Sequence, residues 1–301
     1  VLEEVGKSLD NTLGATDAFV VNMIAYARYS GSEWPLVTMP DFSIQATKLL
    51  RLSKAVHMSI YHVVEPDKQA AWQEYANKTH GWIKESVAVQ EKDEDWHGPI
   101  VYDYNTSYEI FGFAGPLQEP APYMDNYIPV WQQAPMVPNS GPGFPYNWDA
   151  WQIPQVAEPI AHSMETQTVS ITQDFGNIVT DLDDAIQVMV AEAGWGWSKS
   201  YISTDEDVHE PMSVIIYPMI NTMETVRVDL EKQHPVVGVL SFAIFWRDIF
   251  KDILPQKSNG VYVVLEHTCG KGQAFTYQLD GPQTTFLGVG DLHDPKYDYI
   301  G

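Results

Sequence analysis

Two groups of acidic, histidine and cysteine residues are the first places where this sequence could do chemistry. Asp291, His293 and Asp294 lie close together, and His267 is two residues from Cys269, the single cysteine of the chain. Such side chains bind metal ions, but their spacing matches neither a zinc site nor an EF-hand calcium loop. His267 and Cys269 would share one face of a strand, yet nothing else marks a reactive thiol. We interpret the acidic group as a polar turn and predict no metal site and no cofactor.

The sequence lacks the common catalytic motifs. It contains no G-x-S-x-G nucleophile elbow, no G-x-x-x-x-G-K-[ST] phosphate loop and no H-E-x-x-H zinc motif. We therefore predict that the chain is not an enzyme. One enzymatic alternative stays open, because two of the 40 acidic residues could act as acid and base in a secreted hydrolase or carbohydrate-active enzyme. That alternative requires two carboxyl groups that face each other in one cleft.

The charge of the chain narrows the choice of partners. Forty acidic residues stand against 17 basic ones, which gives a formal net charge of -23 at pH 7. A field of this sign repels phosphate backbones and anionic membrane faces, so we expect no binding to nucleic acid or to lipid surfaces. It would concentrate cations near the surface, and a structural or adhesive module that binds calcium is therefore a third alternative.

Helical and strand patterns alternate along the chain. Residues 1–30 carry an apolar stripe at steps of three, four and seven, which predicts a helix ended by Gly31 and Pro35. Further helices are predicted over 43–56, 67–83, 152–164 and 246–254, and strands over 58–64, 126–131, 168–172, 211–218, 236–244, 261–266 and 274–279. The proline-rich residues 91–147 and the acidic residues 180–211 show little regular pattern.

The order of the later elements resembles the sheet of a PAS-like sensor. Residues 211–220 (PMSVIIYPMI) and 234–272, which open with HPVVGVLSF, resemble the centre of CHASE and Cache domains. Within that group the sequence is most similar to ectodomains of receptor-type nucleotide cyclases from single-celled algae, through WPLVTMPDF, YIPVWQQAP and VVLEHTCGKGQAFTYQLDGP. This interpretation requires the strands around Tyr217 and Gly238 to be antiparallel neighbours in a curved sheet that encloses a small cavity.

The resemblance implies an α+β fold, with a long N-terminal helix followed by two PAS-like antiparallel-sheet subdomains. It implies a stalk helix over 1–30, a membrane-distal sensor subdomain over 31–245 and a membrane-proximal subdomain over 246–301. The chain would be the extracellular, or periplasm-like, ligand-sensing part of a plasma-membrane receptor whose cyclase or kinase output lies outside it. It would meet the membrane only through flanking segments, and its N-terminal helix could pair with that of a second copy.

The same resemblance implies a set of ligand-binding residues. The stretch from Trp148-Asp149 to Thr172 resembles the one that carries the pocket Asp and Thr of hormone-binding CHASE domains, with the same separation of 23 positions. Asp149 would accept hydrogen bonds from ligand N–H groups, and Thr172 would donate or accept one. Trp148, Trp131 and Tyr217 would form walls around a small molecule whose identity stays open. Each residue has a simpler alternative: Asp149 as a helix N-cap, Thr172 as a strand residue and the aromatics as core.

Overall fold

Six α-helices and ten strands lie in the parts of the chain that the computed structural model describes, which are residues 2–93, 108–112, 115–122, 124–134, 146–172, 211–221, 234–266 and 273–292. The helices are α1 (Leu2–Ser30), α2 (Phe42–Ser53), α3 (Gln69–Thr79), α4 (Trp82–Gln90), α5 (Pro154–Thr166) and α6 (Trp246–Phe250). The strands are β1 (His57–His62), β2 (Phe111–Gly112), β3 (Gly115–Pro116), β4 (Val130–Ala134), β5 (Ser170–Ile171), β6 (Met212–Ile220), β7 (Val236–Phe245), β8 (Val261–Glu266), β9 (Ala274–Asp280) and β10 (Gln283–Val289). None of these helices is both long enough and apolar enough to span a membrane.

The longer strands form two antiparallel sheets. One has five strands in the order β4-β1-β7-β6-β5, and the other has three in the order β10-β9-β8. The pairing of β6 with β7 places Tyr217 opposite Leu240 and Met219 opposite Gly238. The strand pairing that the sequence interpretation requires is therefore confirmed. The long N-terminal helix and the antiparallel sheets agree with the predicted α+β class.

Helices cover both faces of the five-stranded sheet, which explains why β6 and β7 read as almost continuous apolar runs. On one face, α1 and α2 pack on alternate residues of β1 and β7, and we call this the α1–α2 layer. The helices contribute Phe19, Met23 and Ile24 from α1 and Phe42 and Leu49 from α2. On the other face, Val156, Ala157 and Ile160 of α5 pack on Val214, Ile216 and Val239, and we call this the α5 layer. Because strand side chains alternate between faces, β1, β6 and β7 each contribute to both layers.

Aromatic rings fill the space between the β4 edge of the sheet and helices α3 and α4. Trp131 of β4 lies at the centre of these rings. Its ring centroid is 5.1 Å from that of Trp72, 5.6 Å from Trp82, 5.9 Å from Tyr75 and 6.4 Å from Tyr146. We call these five residues the aromatic cluster. Its contacts hold α3 and α4 against the sheet.

Helix α1 contacts both large sheets. Its C-terminal half belongs to the α1–α2 layer, where the Tyr217 hydroxyl of β6 donates a hydrogen bond to Asp17 Oδ1 at 2.9 Å. Near its N-terminus, Val5 packs against the core of the three-stranded sheet, which Phe250, Phe275, Tyr277 and Leu279 form. One helix therefore connects the two sheets.

The sheet should not tolerate a side chain at Gly238 of β7. A Cβ there would lie 2.3 Å from the carbonyl oxygen of Tyr61 and 2.4 Å from Met219 Cε. The methionine methyl group can move, but the Tyr61 carbonyl belongs to the paired strand β1 and cannot move without disturbing the ladder. We expect Gly238→Ala to lower the free energy of unfolding by about 1–3 kcal/mol in urea denaturation.

A matched control for this change is Gly6→Ala in α1. A Cβ at Gly6 has no atom within 4 Å, and alanine is the better helix former, so this variant should be as stable as the parent or slightly more stable. If Gly238→Ala also left the stability unchanged, β1 and β7 would have to be free to move apart at this point.

Candidate functional site

Two of the five predicted site residues, Trp148 and Thr172, lie on the α5 side of the five-stranded sheet. Thr172 lies opposite Val214: its amide donates to the Val214 carbonyl at 2.9 Å, and its Oγ1 accepts from the Val214 amide at 2.9 Å. Residues that face each other on antiparallel strands project to the same side, so Thr172 points into the α5 layer, as Val214 does. Trp148 also belongs to this layer, and Asp149 follows it directly.

Trp131 and Tyr217 lie on the opposite side of the sheet. Trp131 is the centre of the aromatic cluster, and its Nε1 donates to Thr38 Oγ1 at 2.8 Å. Tyr217 packs against the α1–α2 layer, where burial, together with the neighbouring Asp17, raises its pKa to about 12. These are the contacts of a core tryptophan and of a tyrosine that attaches α1 to the sheet.

Asp149 and Thr172 lie at opposite edges of the five-stranded sheet. Trp148 and Asp149 pair with the start of β4, because the Val130 amide donates to the Trp148 carbonyl at 2.9 Å and Pro129 forms a bridge with Asp149. Thr172 follows β5, which is the strand at the other edge. Four strand spacings separate β4 from β5, or roughly 19 Å across a flat sheet. A small ligand held by Asp149 would reach Thr172 only if the sheet curved strongly.

Asp149 is completely buried, and its two carboxyl oxygens have different surroundings. Oδ1 accepts a hydrogen bond from the Ile128 amide at 2.8 Å. Oδ2 is also buried but has no hydrogen-bond partner among the described residues. Asp149 precedes the short 3-10 helix Ala150–Gln152 but makes no side-chain capping bond to it. Asp149 therefore occupies the N-cap position of the simpler alternative, but without a capping hydrogen bond of normal geometry, and Oδ2 remains able to accept a hydrogen bond.

Burial raises the pKa of Asp149 from 3.8 to about 6, because the interior disfavours the charged form. The hydrogen bond from the Ile128 amide opposes this rise. The Trp151 amide and the Gln152 side chain also favour the carboxylate, although neither makes a hydrogen bond of normal geometry to Oδ2. Asp149 can therefore gain or lose a proton near neutral pH, which is common for residues at functional sites.

Phe111, Trp148 and Gln152 lie close to Asp149 in the fold. The Phe111 and Trp148 rings meet edge to face with centroids 5.5 Å apart, and the Asp149 amide donates to the Phe111 carbonyl at 3.0 Å. The Gln152 side chain occupies the space that a Cβ at Gly112 would fill. Trp151 Nε1 donates to the Asn126 carbonyl at 2.9 Å. Phe111 and Gly112 were not predicted as neighbours, because residues 91–147 carry no periodic pattern, and Gln152 was predicted only as the first residue of a helix.

The structure offers no metal centre among the residues it describes. No group of three or more His, Cys, Asp or Glu side chains in those ranges is arranged to hold a metal ion. His267, Cys269, His293 and Asp294, which were considered from the sequence, lie outside the described residues, as do the acidic residues at 180–210.

No protein-family model matches the chain, and no curated protein matches it either. A function must therefore be inferred from the residues and the fold. The best-defined candidate is the buried carboxyl group of Asp149, whose Oδ2 has no hydrogen-bond partner among the described residues.

Proposed function

We propose that the chain is the extracellular ligand-sensing domain of a membrane receptor and that it binds a small molecule beside Asp149. The observation that carries this proposal is the order of the five-stranded sheet. If its strands are numbered 1 to 5 along the chain, they lie side by side as 2-1-5-4-3, which is the order of a PAS-like sheet. A separate three-stranded sheet follows in sequence, as a CHASE or Cache arrangement of two subdomains would require.

The chemistry around Asp149 favours a ligand that carries N–H groups. A buried carboxyl oxygen without a partner costs free energy, and a donor from a ligand would remove that cost. The rings of Phe111 and Trp148 pack together close to the backbone of Asp149, so a ligand that also contacted them would need apolar surface. We therefore propose amines, amino acids and purines as the ligand classes to test first.

Helix α1 provides a route by which binding could be transmitted. A ligand changes a conformational equilibrium only if it binds one state more tightly than the other. A shift of β6 against the α1–α2 layer would be passed to α1 through the contact between Tyr217 and Asp17. The proposal includes a receptor dimer formed through α1, whose outward residue Val21 is 47% exposed, and an output domain outside this chain.

The proposal can be tested by thermal-shift screening of the purified chain with amines, amino acids, purines and simple carboxylates, followed by calorimetry on any hit. We expect a ligand with N–H donors to stabilise the protein. Asp149→Asn should weaken its binding roughly tenfold to a hundredfold, because a hydrogen bond to a charged acceptor is lost. Asp125→Asn, a change at an exposed residue nearby, should leave the affinity unchanged.

Two results would count against this function. One is a screen in which no compound stabilises the protein. The other is hydrolysis of glycosides or esters by the purified chain, which would favour the hydrolase alternative. That alternative needs a second carboxyl group next to the first, and no carboxylate of the described residues contributes to the raised pKa of Asp149.

A further inference from the structure

A groove runs between α2 and α4, on the opposite side of the five-stranded sheet from α5. The two helices run in the same direction. The hydroxyl groups of Ser43 and Ser86 form a hydrogen bond near one end, and Arg51 donates to Asp93 Oδ1 at 2.7 Å near the other. The groove between these contacts has a volume of about 670 Å³. The lining residues that matter here are Ile44, Arg51, Glu85, Ala88, Val89 and Lys92.

One end of the groove is acidic. Glu85 Oε1 is buried and has no hydrogen-bond partner among the described residues. Burial, together with the negative charge of Asp41, raises the pKa of Glu85, so the carboxylate is held where it lacks a counter-charge. A cation placed here would satisfy the free oxygen and offset the repulsion from Asp41.

The other end of the groove is basic. Lys92 and Arg51 both line it, and the one acidic residue there, Asp93, already accepts a hydrogen bond from Arg51. This end therefore carries more positive than negative charge among its lining residues. A carboxylate placed here would be bound favourably, although the chain as a whole has a charge of -23.

The spacing of the two ends defines the length of a suitable ligand. Glu85 and Lys92 are seven residues apart, and the Lys92 amide donates to the Val89 carbonyl at 3.2 Å, so the helical turn continues past the end of α4. Seven residues of helix span about 10 Å and return to nearly the same face. Ala88 and Val89 lie between the two ends, and Ile44, which is 42% exposed, faces the groove from α2.

We infer that this groove binds a short zwitterionic peptide. Its ammonium group would pair with Glu85, its carboxylate with Lys92 and Arg51, and its small apolar side chains would contact Ile44, Ala88 and Val89. Three extended residues span about 10 Å, which matches the length of helix between Glu85 and Lys92. Charge-assisted hydrogen bonds at both ends would fix the direction of the peptide. The site is separate from Asp149 and does not depend on the function proposed above.

The experiment titrates the full chain with trialanine. Calorimetry and the amide chemical shifts of α2 and α4 measure the binding. We expect saturable binding that needs both charged ends. Acetylation of the peptide N-terminus and amidation of its C-terminus should each weaken binding about tenfold, since each removes one charge-assisted contact. Equal affinity of the capped and uncapped peptides would overturn the inference.

Variants assign each end of the peptide to its partner. Glu85→Gln should weaken the binding of trialanine but should not further weaken that of the acetylated peptide. Lys92→Gln should likewise weaken the binding of trialanine but not further weaken that of the amidated peptide. Lys84→Gln, a change at an exposed residue of α4 outside the groove, should leave the affinity unchanged. If Asp149→Asn abolished trialanine binding while Glu85→Gln did not, the peptide would bind beside Asp149 and not in this groove, and the inference would be overturned.

Discussion

Replacing Trp131 with alanine should lower the free energy of unfolding by about 3–5 kcal/mol. The side chain is completely buried at the centre of the aromatic cluster, and its indole N–H donates to Thr38. The change would leave a cavity between β4 and helices α3 and α4 and would remove several edge-to-face ring contacts. Domains are typically stable by about 5–15 kcal/mol, so a large part of the total would be lost. Urea denaturation followed by far-ultraviolet circular dichroism measures the effect.

Tyr29→Ala is the matched control for the Trp131 change. Tyr29 is 94% exposed at the end of α1, so its removal should alter the free energy of unfolding by no more than about 0.5 kcal/mol. A loss below about 1 kcal/mol for Trp131→Ala would mean that the ring is not tightly packed. In that case its predicted role as the wall of a ligand pocket would become the better account.

Asp149→Asn should change how stability depends on pH. The folded-state pKa of Asp149 is raised from 3.8 to about 6, so the folded protein holds this proton more tightly than the unfolded chain does. The resulting stabilisation is complete below pH 3.8 and is lost as the pH rises through 6. Two pKa units correspond to about 3 kcal/mol. The free energy of unfolding of the variant, relative to that of the parent, should rise by this amount between about pH 4 and about pH 7.

Denaturation curves for both proteins across this pH range measure the difference. Asp125→Asn should follow the parent at every pH, because its side chain is exposed. If Asp149→Asn instead lost stability relative to the parent as the pH rose, the carboxylate would have to be paired in the folded state. A bound ligand that donates an N–H group to Asp149 should flatten the pH dependence of the parent, since it favours the ionised form.

The central strands could be predicted because their sequences strongly favour a buried strand over other secondary structures. Both faces of β6 and β7 are covered by helices, so the chain shows uninterrupted runs of β-branched and other apolar residues. Strand β10 was not predicted because its side chains alternate between exposed and half-buried, which gives a weak apolar signal. The two-residue turn Gly281-Pro282 before it, with a φ of 59° at Gly281, is the hairpin signal that could have indicated it.

The predicted helix over 67–83 is in fact a 3-10 turn followed by α3 and α4, which are separated at His80 and Gly81. Gly81 marks this break, but a single glycine inside a helical pattern does not decide it.

The site was harder to predict. Alternation along β6 predicts that Tyr217 lies on the opposite face of the sheet from Ile216. The face on which Thr172 lies follows only from its pairing with Val214, which the sequence does not reveal. Phe111 reaches Trp148 through a bridge between distant segments, which no local pattern encodes.

The contact of α1 with both sheets has a mechanical consequence. About 22 Å of helix separates Asp17, where Tyr217 attaches it to the larger sheet, from its beginning at Leu2. A tilt of only about 5° around that attachment point would move the far end by about 2 Å, similar to the helix displacements that transmit signals between subunits. Because Val5 is packed against the smaller sheet, that sheet would have to follow the movement or give up its contact.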